Sequence, residues 1–71
     1  MDFKVVINNN IKYYREKSNI TEEALSLMLG RNKNFISNLE KGMYKIFPNI
    51  ALLEEISKVL NVPMEDLVKE R

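Results

Sequence analysis

The most concentrated set of hydrogen-bonding side chains in this sequence is Lys33, Asn34, Ser37 and Asn38. On a helix whose Ile36 and Leu39 point inward, these four fall mostly on the opposite face, and no carboxylate lies among them. An ammonium group donates, while a carboxamide or hydroxyl both donates and accepts. Such a face can bond to another molecule, or it can be the solvated side that any surface helix has. The adjacent acids Glu22 and Glu23 do not make a catalytic pair. Neighbouring residues on a helix point in different directions, and no histidine, cysteine or metal-ligand cluster accompanies them. Their place is the first turn of a helix, where negative charge complements the dipole. Nothing in the chain suggests an enzyme, a cofactor or a small-molecule ligand.

The 71 residues make one domain, with no cysteine or histidine to supply disulfides or the common zinc sites, and 45% hydrophobic content to build a core. A domain of this size seldom gains more than about 3 to 5 kcal/mol from its core, so self-association is expected. No apolar run reaches the roughly 20 residues of a membrane span, and the N-terminus lacks the order of a signal peptide, so a cytoplasmic protein without membrane contact is expected. The net charge of +1 hides a distribution: residues 1–20 carry +2, 21–30 carry −2, 31–46 carry +3 and 47–71 carry −2. Positive charge gathers around Lys33 and just after it. The imbalance is small enough to arise from scatter, and by itself it does not select a partner.

Five short helices must position these groups. Phe3, Ile7, Ile11 and Tyr14 recur at three- and four-residue spacing and predict a helix over about 4–18, with Asn19 as a left-handed stop. Thr21 caps a second helix over 22–29, whose buried face is read as Leu25, Leu29 and the neighbouring Met28, and which Gly30 ends. Asn32 caps a third over 33–41, with Gly42 as its stop. Phe35 is read as packing at the core or its rim. Residues from Met43 to Pro48 loop, because Pro48 lacks an amide donor and disfavours a helical Phe47. Asn49 caps a fourth helix over 50–60 bearing Ile50, Leu53, Ile56 and Leu60, Asn61 is another left-handed stop, and Pro63 opens a fifth over 64–70. The fold class is all-α, with Met64, Leu67 and Val68 facing the core or a partner.

Two helices joined by a tight glycine turn are the signature of a helix-turn-helix, whose second helix enters the DNA major groove. A small residue must sit where the helices cross, an unhindered residue must make the turn, and two apolar residues must pin the second helix to the body. Ser26, Gly30, Ile36 and Leu39 answer in order. The stretches IKYYR, ITEEALSLMLG, NKNFISNLEKG and PNIALLEEISKVLNVPMEDLV together resemble the phage repressor and Cro-type helix-turn-helix family, also called the XRE family, over about Ile11 to Val68.

That resemblance implies a compact five-helix lambda-repressor-like domain that binds double-stranded DNA and regulates transcription in the manner of a repressor. It puts base-reading positions on Lys33, Asn34 and Asn38, with Ser37 beside them. It puts phosphate-contacting positions on Thr21, Glu22, Arg31, Asn32, Tyr44 and Lys45. It further implies an ion pair between Arg15 and Glu40, and a homodimer, placed here on the fourth and fifth helices. Three departures stand out. Glu22 replaces the glutamine that usually contacts a phosphate, Arg31 replaces a small or apolar turn residue, and the loop after Gly42 is about two residues longer than the common form. Glu22 and the near-neutral total charge keep an alternative in view: a module of the same fold that binds a protein partner, as an antitoxin or an assembly subunit.

Overall fold

The computed structural model describes residues 2–43 and 49–71. Five helices follow in order: α1 (Phe3–Lys17), α2 (Glu22–Met28), α3 (Phe35–Glu40), α4 (Ile50–Leu60) and α5 (Met64–Val68), and no strand occurs among the described residues. Local chemistry accounts for most of their ends. Asp2, Thr21 and Asn49 sit in extended backbone at the starts of α1, α2 and α4, and each side chain accepts a hydrogen bond from an amide two or three residues on. Asn19 and Asn61 adopt the left-handed conformation just beyond α1 and at the end of α4 (φ 59° and 57°), and Gly30 and Gly42 do so after α2 and α3 (φ 71° and 73°).

One core holds the helices together. Ile7 and Ile11 of α1, Leu25 of α2, Ile36 and Leu39 of α3, Leu52, Leu53, Ile56 and Leu60 of α4, and Leu67 of α5 are buried against one another, with Tyr14, Leu29, Phe35, Met64 and Val68 packed around them. Helix α1 touches α3, α4 and α5, while α2 packs on α3. The last two helices and α1 thus form a base that carries the α2–α3 pair.

Three expected stripe residues lie outside this core. Phe3 and Ile50 are 52% and 73% exposed. Each is the first residue of its helix, where the apolar stripe overruns the end of the core. Met28 is 57% exposed, against the expectation that it joins the buried face of α2. That face is centred between Leu25 and Ser26, both fully buried, and at roughly 100° per residue Met28 falls past its edge. Hydropathy favoured the methionine, whereas helix crossing selected the serine.

Helix ends differ as well. The third helix begins at Phe35, with Asn34 in the N-cap position, so Asn32 is not its cap. Asn32 closes a turn just before the helix: its Oδ1 accepts from the Asn34 amide (2.9 Å) and its carbonyl from the Phe35 amide (2.9 Å). The fifth helix stops at Val68, short of residue 70. Beyond it the chain is held by Asn10, a buried α1 residue whose Nδ2 donates to the carbonyls of Leu67 (3.0 Å) and Lys69 (2.8 Å). Arg71 completes the clasp, donating to Asn10 Oδ1 (2.8 Å) and lying over the Tyr13 ring (3.9 Å).

Candidate nucleic-acid interface

Helix α3 is fastened at both ends, to α2 at its start and to α1 at its end. At the start, the Ser26 hydroxyl donates to the Glu22 carbonyl (2.8 Å) and accepts from the Ile36 amide (2.9 Å). Ser26 and Ile36 are fully buried, so this bond has no competition from water. Gly30 then turns the chain, and the Arg31 amide returns to the Ser26 carbonyl (3.0 Å). The helix crossing requires only that Ser26 be small; the role of its hydroxyl is not foreseeable from size.

At the far end, Arg15 binds Glu40 through Nε (2.7 Å) and Nη2 (3.1 Å), and its Nη1 donates to the Ile20 carbonyl (2.8 Å). The two side chains are only 9% and 4% exposed. This ion pair ties α1 to the end of α3 and to the residue that leads into α2. A forked guanidinium fixes direction as well as distance.

Glu22 faces the same cluster. Burial, together with the neighbouring Glu22 carboxyl, pushes the Glu40 carboxyl above its ordinary range, although the Arg15 guanidinium pulls the other way. The guanidinium of Arg15 is itself raised, chiefly by its hydrogen bond to Glu40. A buried carboxylate with one cation and a second acid beside it cannot be fully compensated. Glu22 is half-buried in this cluster, not held out as a free surface acid.

That geometry makes a prediction about pH. Folded Glu40 holds its proton more tightly than the unfolded chain does, so the stability linked to that proton is fully present below the ordinary carboxylate pKa and is lost as pH rises through the raised value. Glu22→Gln removes the second acid. The variant should be more stable than the wild type at neutral pH, and its urea midpoint should fall less steeply between about pH 4 and pH 7. Identical slopes for the two proteins would show that Glu22 does not act on Glu40.

The candidate contact residues occupy the outer side of this scaffold. Arg31, Asn32, Lys33 and Asn34 are exposed on the turn leading into α3, while Ser37 and Asn38 are half-exposed along α3 itself. Arg31 is not a loose charge: its guanidinium lies 4.9 Å from the centre of the Phe35 ring, a cation–π arrangement. Thr21 is exposed, but its Oγ1 is engaged with the Ala24 amide (3.0 Å). The positions assigned to Tyr44 and Lys45 lie outside the described residues. Among the described residues, no cluster of His, Cys, Asp or Glu could hold a metal ion, and no helix is long and apolar enough to cross a membrane.

A family model described as Helix-turn-helix matches residues 11–67. An HTH-type transcriptional regulator of Methanocaldococcus jannaschii is 38% identical over 61 residues, covering 86% of this chain and 89% of its own length. The HTH-type transcriptional regulator SinR of Bacillus subtilis is 30% identical over 66 residues, covering 93% of this chain and 59% of SinR. Among solved structures, a hypothetical transcription factor NHTF from Neisseria shares the fold, with a TM-score of 0.86 over 97% of this chain and 77% of its own at 20% identity. With two helices set across a glycine turn, a second helix pinned by Ile36 and Leu39, and these relatives, the chain belongs to the XRE-type helix-turn-helix family of transcriptional regulators.

Proposed function

We propose that this protein regulates transcription by seating α3 and the turn before it in the DNA major groove, where Lys33, Asn34 and Asn38 read base edges with Ser37 beside them. Lysine donates to guanine O6 and N7, and asparagine pairs bidentately with adenine N6 and N7. Arg31, Asn32, Thr21 and the loop residues Tyr44 and Lys45 contact phosphates and set the register. Glu22 occupies a phosphate-facing position of the family but turns its charge toward Arg15 and Glu40, which reduces the repulsion it would otherwise cause. The observation that carries this reading is a carboxylate-free outer face, made by exposed residues 31–34 of the turn and half-exposed 37 and 38 of α3, on a helix immobilised at both ends.

The protein acts as a homodimer through α4 and α5, on half-sites about one helical turn apart. A domain this small supplies few contacts alone, and Ile50, an isoleucine left 73% exposed, lies on α4. Occupying a promoter excludes other proteins from it, and a bound dimer can also recruit them.

Anisotropy titration against duplex DNA at low and moderate salt tests the function, and sedimentation with and without duplex tests the dimer. Affinity should fall steeply with salt, because phosphate contacts release counterions. Salt-independent or undetectable duplex binding would overturn the DNA reading. A monomer at high concentration that stays unpaired on its selected duplex would overturn the dimer.

A further inference from the structure

We infer that Ser26 is a positioning residue for base recognition: by capping α3 from α2, it leaves the Asn34 side chain free to read DNA. The inference rests on the DNA-reading function proposed above and adds a residue remote from the groove to its specificity. The residue before a helix ordinarily uses its side chain to satisfy the amide two or three positions on. Asp2, Thr21 and Asn49 all do so here, each in extended backbone. Asn34 does not, although it is the same residue type as Asn49. Its backbone has turned away from the extended region (φ −97°, ψ 3°), and its side chain makes no cap hydrogen bond.

An N-cap side chain can reach the amides two or three residues on, here those of Ile36 and Ser37, and the one in the core is that of the fully buried Ile36. That amide is already satisfied by the Ser26 hydroxyl at 2.9 Å. The hydroxyl is oriented by its own bond to the Glu22 carbonyl at 2.8 Å, so the acceptor lone pairs face α3. Meanwhile Asn32 Oδ1 takes the Asn34 amide at 2.9 Å and holds the turn. The Ile36 amide and the turn before the helix are thus held by other side chains, and Asn34 is exposed to solvent. Without the Ser26 acceptor, the buried Ile36 amide has two ways to recover a partner: Asn34 swings in to cap it, or the first turn of α3 frays. Either removes Asn34 from the groove.

The experiment uses Ser26→Ala, Asn34→Ala and the double variant. Binding is measured on the duplex selected by the wild type, on the same duplex altered at the base pair where Asn34→Ala loses preference, and on random duplex. Ser26→Ala should keep wild-type affinity for random duplex yet lose about tenfold in discrimination at that base pair. The double variant should lose no more than either single one, because both remove the same contact. Equal weakening on all three duplexes, or additive losses in the double variant, would overturn the inference by showing that Ser26 only stabilises the fold. Should Ser26→Ala fail to fold, Ser26→Cys retains the volume with a weaker acceptor. It should show an intermediate loss at the same base pair and nowhere else, and a uniform loss would overturn the inference equally. A wild-type protein that prefers no duplex at all would instead overturn the DNA-reading function, a failure seen before any variant is made.

Discussion

The Glu40→Ala variant is expected to lose roughly 3 to 5 kcal/mol of stability, the range for breaking a buried ion pair by removing one partner. The loss is large because of what stays behind. Arg15 would keep a guanidinium that is only 9% exposed, with its bond to the Ile20 carbonyl but no counterion from α3. A chain of 71 residues has on the order of 5 kcal/mol to lose, so the variant should be largely unfolded near physiological temperature. Urea denaturation at pH 7 checks this, and a loss below about 1 kcal/mol would show that the pair is solvated and weak. Replacing both partners with apolar residues, Arg15→Met with Glu40→Leu, should cost far less than either single removal, since desolvation offsets much of the attraction in a buried pair. The double variant is then the informative one for function. If it folds but binds DNA poorly, the pair serves the angle of α3 more than the stability of the fold.

Some of this organisation is legible in the sequence. The stops at Asn19 and Asn61 and the caps at Thr21 and Asn49 are local events, governed by the few residues around them, and the expected conformations occur. The core faces of α1 and α4 also follow their periodicity, except at Phe3 and Ile50, where the helix outruns the core. What the sequence leaves open is set by contacts between distant residues. Asn32 is the expected cap of α3, yet its side chain holds the turn before the helix, and the Ile36 amide is taken by Ser26 from ten residues away. Ser26 is buried at the crossing of α2 with α3, where its small size places it, but the same crossing leaves the more apolar Met28 outside the buried face. Asn10 is a polar residue of α1 outside the stripe of Phe3, Ile7, Ile11 and Tyr14. In the fold it is the clasp for the chain beyond α5, through bonds spanning 57 and 59 residues that no periodicity encodes.

Substitutions on the outer face of α3 should separate recognition from attachment. Lys33→Ala, Asn34→Ala and Asn38→Ala should each relax preference at a different base pair, with about 1 to 3 kcal/mol of discrimination lost per contact and little change on random duplex. Arg31→Ala should act differently, weakening all duplexes alike and reducing the slope of log affinity against log salt by about 0.9. The distinction follows from placement. Asn34 and Asn38 carry short, planar amides close to the α3 backbone, suited to bidentate pairing with a base edge. Arg31 precedes the helix and lies across the Phe35 ring, which limits its freedom before any phosphate is bound and lowers the entropy lost on contact. Phe35→Leu should therefore reproduce part of the Arg31→Ala effect, since it removes the ring while keeping an apolar side chain at the core's rim. Selection of duplexes from a random pool with each variant distinguishes the two classes. Selected sequences that stay unchanged for Lys33→Ala, Asn34→Ala and Asn38→Ala would mean that α3 is not the reading helix, whatever the affinity. A changed sequence for Arg31→Ala would move that guanidinium from the phosphates to the bases, extending the reading surface from α3 back into the turn that Gly30 creates.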